Sequence, residues 1–230
     1  MIQLLSDLPE DASQIGNASK LAAGVANQLL AAVATNPLLQ SRGPSLNPHM
    51  LFGGSDKVRI SVISFIGLGS DEARQSFVNQ LQMALFTWIR GTPSLTGRLL
   101  VLDEAQNFAP SQKMTPCKES TVSLAAQARK YGLGMIFATQ APKGVDHKIV
   151  SNCTTHFYGR MSSPATIEAT RELMAAKGGG GDDIGRLNRG EFYYSTEGIT
   201  RPIKIRTPLC LSWHPANPLT ENEVMERARR

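Results

Sequence analysis

The chain has 230 residues, 41% of them hydrophobic and 19% charged, with a formal net charge of +5 and a pI near 9.3. That length suits one sizeable α/β domain with an appendage, and the composition is that of a soluble globular protein. No apolar run nears the roughly 20 residues needed to cross a bilayer. No basic-then-apolar leader follows Met1, and the three scattered cysteines (Cys117, Cys153, Cys210) make no disulfide framework. A membrane-spanning or disulfide-stapled protein is thereby excluded, and a cytoplasmic one with no membrane contact is expected. The basic excess permits contact with nucleic acid without demanding it.

In chain order, residues 10–35 are Ala-rich with apolar residues at helical spacing (Ile15, Leu21, Val25, Leu29, Val33), and Asn36-Pro37 ends the pattern. A Pro, Gly, Ser and Asn-rich loop fills 37–56. KVRISVISFIG, 57–67, predicts a strand through its β-branched residues. Residues 71–90 predict a strong helix, capped by Ser70, with Asp71 and Glu72 in its first turn and Gly91 as its stop. A strand at 98–103, a helix at 119–131 ending at Gly132, and a strand at 134–140 follow. A short helix near 145–150 precedes a strand at 153–160, and Ser163-Pro164 opens a helix to about Lys177. After Gly178–Gly181, read as a flexible connection, EFYYSTEGITRPIKIR predicts a β-hairpin. Thr220 and Glu223 form a capping box for a last short helix ending in Arg229-Arg230. Alternating strands and helices signify a parallel sheet with helices on both faces, which places its chemistry at the carboxyl ends of the strands.

The strand RLLVL ends in Asp103 and Glu104. Four apolar residues followed by Asp-Glu make the Walker B pattern of nucleotide hydrolases. There the first acid holds Mg²⁺ and the second orients or deprotonates the attacking water. The next strand ends in Thr139-Gln140, where a polar amide could bond a γ-phosphate or that water. Arg129 lies just before this second strand, near a helix end where the dipole also favours a cation.

LLVLDEAQNFAP, then ARKYGLGMIFATQAPKGVD, then SNCTTHFYGRMSSP, resembles the C-terminal half of an ATPase motor of the HerA/FtsK superfamily, with the closest likeness to HerA-type ATPases. The resemblance covers roughly residues 57–230, and LNRGEFYYS fits it too. It implies a RecA-like, mostly parallel sheet with flanking helices: an incomplete P-loop NTPase core at 57–210. A helix and loop at 1–56 precede it, and a C-terminal β-hairpin and a tail helix at 211–230 close the chain. It implies ATP and Mg²⁺ as cofactors, with Asp103 the Mg²⁺-associated acid, Glu104 the catalytic acid, and Thr139 and Gln140 at the nucleotide, Gln140 as sensor. Arg129 matches the arginine finger of related coupling ATPases, and Arg160 is a second candidate acting on a neighbour. The family forms hexameric rings that pump DNA, so self-association, DNA and a nuclease or other effector are the implied partners.

One departure is serious. G-x-x-x-x-G-K-[ST], whose amides cradle phosphates, is absent, and Gly178–Gly181 are followed by Asp182-Asp183 instead. The chain thus has one side of an ATP site. It is expected to be part of a longer or split motor, inactive alone; the alternative is a catalytically inactive module that binds DNA or partner proteins. A DExH helicase fragment fits less well, since FATQ stands where that class has Ser-Ala-Thr. Lys113 and Lys118, in the loop after the acids, are candidate phosphate contacts on DNA. His147, Cys153 and His156 are close in sequence but lack a fourth ligand, which argues against zinc.

Overall fold

The computed structural model describes residues 2–35, 46–53, 58–212 and 215–228. The Asn36-Pro37 helix stop, much of the 37–56 loop and Arg229-Arg230 lie outside these residues. Helices α1 (Ile2–Ser6), α2 (Ala18–Thr35), α3 (Pro48–Phe52) and α4 (Asp71–Gly91) lead into strand β1 (Arg98–Leu102). Helix α5 (Lys118–Gln127) and a 3-10 turn, Ala128–Tyr131, lead to strand β2 (Leu133–Phe137). Then come α6 (His147–Asn152), β3 (Thr155–Tyr158), α7 (Pro164–Ala175), the hairpin strands β4 (Glu191–Thr196) and β5 (Ile203–Arg206), and α8 (Glu221–Ala228).

The N-caps form as the sequence predicts, whereas Gly91 is the last residue of α4 rather than its stop, and Thr92 is the C-cap. Ser70 Oγ accepts the Ala73 N–H at 3.1 Å at the start of α4. At α8 the Thr220 N–H donates to Glu223 Oε2 at 2.7 Å and the Glu223 N–H to Thr220 Oγ1 at 3.4 Å. Gly132 takes φ +77° to turn the chain from the 3-10 turn into β2, and a Cβ there would sit 2.0 Å from Ser94 O, so only glycine fits. The glycine run is more tightly built than a flexible connection: a Cβ on Gly179 would stand 2.6 Å from Pro202 Cδ, so the run packs on the 200–202 turn.

β1 and β2 pair in parallel, Arg98 opposite Leu133 through Leu102 opposite Phe137. Leu100, Leu102, Leu133 and Met135 point to one face, where Val78, Leu85 and Ile89 of α4 and Leu124 of α5 cover them. Two clusters of this kind, one around Ile89 and Leu133, the other around Val78 and Leu102, hold the helices on the sheet. The other face carries Leu99, Val101 and Ile136, which are 56%, 57% and 49% exposed. β1 is therefore half-buried rather than a fully buried strand, because among the described residues helices cover the pair on one side only.

Two expectations change. Residues 58–65 form no strand and join no ladder among the described residues, and Val58, Ile60 and Val62 are exposed. Among the described residues the β-branched alternation there has no neighbouring strand to pair with, and strand propensity alone makes no strand. β3 pairs antiparallel with β4, and β4 with β5, as a second sheet rather than an extension of the parallel pair. The α6–α5 contact and the contact of α7 with the 142–144 turn join the two parts. The architecture is a mixed α/β fold with a parallel sheet, flanking helices, a C-terminal hairpin and a short last helix, as the sequence predicts. Among the described residues no helix is long and apolar enough to cross a membrane.

Candidate functional site

β1 ends at Leu102 and the chain turns at once. Ala138 N–H donates to Leu102 O and Ala105 N–H to Ala138 O, each at 2.9 Å, so the ladder continues past Asp103 and Glu104 while those two residues bulge outward. The bulge puts Glu104 in the left-handed region, at φ 49° and ψ 47°. For a residue with a long side chain that conformation costs roughly 1–2 kcal/mol. It persists because the ladder on either side fixes it, a pattern that clusters at functional sites. Asp103 stays exposed, and its Oδ1 accepts the Glu104 N–H at 2.9 Å.

The bulge aims the Glu104 carboxylate at the end of β2. Gln140 Nε2 donates to Glu104 Oε1 at 2.9 Å. Gln106 Nε2 donates to the second oxygen, Oε2. Behind Gln106, the Thr139 hydroxyl lies 2.6 Å from Gln106 Oε1. The structure thus brings together Asp103, Glu104, Thr139 and Gln140, all predicted, and adds Gln106. Thr139 turns its hydroxyl to Gln106. The signal that could have found Gln106 is its polar amide two residues past the acid, in a turn that the neighbouring strand's tip must meet.

The loops that carry these residues are stitched together. Pro110 and Val145 form an isolated antiparallel bridge, Asp146 N–H donates to Ala109 O at 2.9 Å, and Ser111 N–H donates to Gly144 O at 2.8 Å. Gln75 of α4 donates its Nε2 to Asn107 O at 2.7 Å. Lys118 lies within this seam: its Nζ is 3.0 Å from Asp146 Oδ2 and donates to Pro110 O at 2.7 Å, with the side chain only 12% exposed. Its cation is engaged inside the fold, whereas Lys113 stands exposed on the loop. Burial pushes the Asp146 carboxyl upward, but hydrogen bonds from Lys118 and the Lys148 N–H outweigh it, leaving the group below its ordinary range.

Arg129 is exposed on the 3-10 turn before β2, at the strand's amino end. Five residues of β-strand put it about 16 Å along the strand from the Gln140 end. Within one chain it does not join the acid pair. Arg160 is exposed just past β3. Among the described residues no three His, Cys, Asp or Glu side chains group as a metal site. His156 Nε2 instead lies 2.8 Å from Cys153 O.

Known proteins match this region. The family profile described as "Zonular occludens toxin (Zot)" matches residues 71–164, a span from α4 to the start of α7 that includes both acids and Gln140. The "DNA double-strand break repair helicase HerA" of Sulfurisphaera tokodaii is 27% identical over 119 residues, covering 48% of this chain and 24% of that protein. Over that span the chain is similar to HerA. The HerA of Pyrococcus furiosus is 26% identical over 116 residues, 47% of this chain and 20% of its own length. The match thus spans no more than about a quarter of these curated HerA relatives. In fold, the chain is similar to the genome packaging NTPase B204 of Sulfolobus turreted icosahedral virus 2 in complex with AMP. The TM-score is 0.50, at 17% identity, over 73% of each chain. The chain therefore shares the α/β fold of that NTPase.

Proposed function

We propose that this HerA-like chain supplies the acid-and-sensor side of the ATP site in a ring-forming, ATP-driven motor that moves DNA. The carrying observation is the Gln140–Glu104 hydrogen bond of 2.9 Å, which joins the tips of two parallel strands at the carboxyl edge of the sheet. The donor set suits the group. Mg²⁺ takes hard oxygen ligands and keeps several waters, binding through one or two carboxylates, and Asp103 offers an exposed carboxylate beside Glu104. When bound, Mg·ATP supplies a transferable γ-phosphoryl group and the cation that offsets its charge.

In this reading Asp103 holds the ion's water shell and Glu104 takes the proton of the attacking water. Gln140 holds Glu104 in line and senses the occupant beside it, with Thr139 on the same wall. Arg129, exposed at the far end of β2, serves the site of an adjacent subunit, and Arg160 is a second such arginine. An arginine acting in this way is worth about 10³ to 10⁵ in rate, which ties turnover to ring assembly. Lys113 contacts DNA phosphates, which adds affinity without sequence preference. A hexameric ring and a nuclease or other effector complete the assembly. The reading requires a phosphate cradle that these 230 residues do not contain.

The test places the chain with a segment bearing G-x-x-x-x-G-K-[ST] and measures binding and turnover separately. Glu104→Gln is expected to retain ATP and lose turnover by about 10² to 10⁴, the range for a general base. Arg129→Ala is expected to bind ATP normally and lose hydrolysis only in the assembled ring. Full turnover by Glu104→Gln would sink the assignment of Glu104, and no turnover by the natural chain in that assembly would leave the alternative, an ATPase-like module that binds DNA or protein without catalysis.

A further inference from the structure

Two amides reach the Glu104 carboxylate, and one of them is anchored from behind. The Thr139 hydroxyl has a single proton. Its oxygen accepts the Ala141 N–H at 3.0 Å. The proton has two acceptors in reach, Gln106 Oε1 at 2.6 Å and Ala141 O at 3.2 Å, and the shorter contact is the stronger. With its carbonyl oxygen so held, the Gln106 side chain must present its NH₂ group to Glu104 Oε2. A reversed amide would set oxygen against carboxylate oxygen, so the acceptor-only carboxylate selects the NH₂ end while the short Thr139 contact anchors the oxygen end.

We infer that Gln106 is a positioning residue for Glu104, and that Thr139 anchors it. The inference rests on the proposed role of Glu104 for its functional meaning, but not for its geometry. Donors run one way along the relay, from the Ala141 N–H through the Thr139 hydroxyl and the Gln106 amide to Oε2. Gln140 closes on Oε1 from the other side. The two amides are not equivalent. Gln106 is half-buried and anchored by Thr139, whereas Gln140 is exposed. An incoming water or phosphoryl oxygen therefore displaces Gln140 and frees Oε1, while Gln106 keeps Oε2 and the direction of the carboxylate. Gln106 is the fixed jaw and Gln140 the moving one.

The experiment needs no nucleotide. In the 230-residue chain, side-chain amide NMR of labelled glutamines reads hydrogen exchange at each NH₂ group. Gln106 is expected to exchange about tenfold more slowly than Gln140, the factor that corresponds to about 1.4 kcal/mol. Thr139→Val should erase that difference, and Thr139→Ser should restore it, with the backbone spectrum otherwise unchanged. Gln106→Leu reads the relay from its other end and does not depend on the valine variant folding: the Ala141 N–H signal should move as the Thr139 proton changes partner. Equal exchange at the two amides in the natural chain, or an unmoved Ala141 signal in Gln106→Leu, overturns the inference. A relay that survives in a chain shown never to support ATP hydrolysis would refute the proposed function alone.

Discussion

Lys118→Met removes the cation that seals the loop after β1 to the loop after β2. In the intact protein Lys118 Nζ lies 3.0 Å from Asp146 Oδ2, with side-chain exposures of 12% and 7%. Both groups are thus largely out of water, and breaking a buried pair costs about 3–5 kcal/mol because the surviving charge loses its partner. Asp146 keeps a hydrogen bond from the Lys148 N–H at 2.9 Å and has His147 Nδ1 3.7 Å from Oδ1, which together place the expected loss at the lower end, about 3 kcal/mol. For a chain of this size that is a fall in Tm of about 6–12 °C. Urea denaturation at pH 7, followed by circular dichroism, measures it. The pH dependence gives a second check. Asp146 has a lowered carboxyl pKa in the folded state, so its contribution is present above the ordinary carboxylate range and is lost as pH falls below about 4. The gap between the natural chain and Lys118→Met must therefore narrow with acidification. A loss under about 1 kcal/mol at pH 7, the value of a surface pair, would refute the reasoning.

Other outcomes are equally specific. The isolated 230-residue chain should show negligible ATPase and weak ATP binding by calorimetry, and turnover abolished by Glu104→Gln would overturn the need for a phosphate loop elsewhere. Gly132→Ala should destabilise by more than about 1 kcal/mol, since the new methyl meets Ser94 O and φ is +77°; a neutral result in denaturant titration would show that the 94–97 turn yields. Tyr158→Phe should be neutral or slightly stabilising, within about 1 kcal/mol, because the buried Tyr158 hydroxyl has no hydrogen-bond partner among the described residues. A large loss of Tm there would reveal a partner for that oxygen.

The helices and caps were legible because their signals are local. Ser70 and the Thr220–Glu223 pair act within three residues of themselves, and the α4 stripe of Val78, Leu81 and Leu85 states its buried face directly. The acid pair and Gln140 were legible as strand endings, since β1 and β2 are short apolar runs with polar tips. Residues 58–65 show where local reading ends: their alternation is strand-like, but only a neighbouring strand can use their backbone groups. Gln106 and Lys118 were harder. Gln106 matters through Thr139, 33 residues away, and Lys118 through Asp146, which it reaches across a loop seam. The left-handed Glu104 could not be read at all, since φ above zero normally announces itself through glycine or asparagine.

The half-dressed sheet has a practical consequence. Leu99, Val101 and Ile136 form an oily strip on what is, among the described residues, a two-stranded ribbon with unpaired edges, the combination that invites edge-to-edge stacking. Handled alone at high concentration, the polypeptide will bind hydrophobic dyes and drift toward insoluble material. Charged replacements along that strip will keep it clear in the tube.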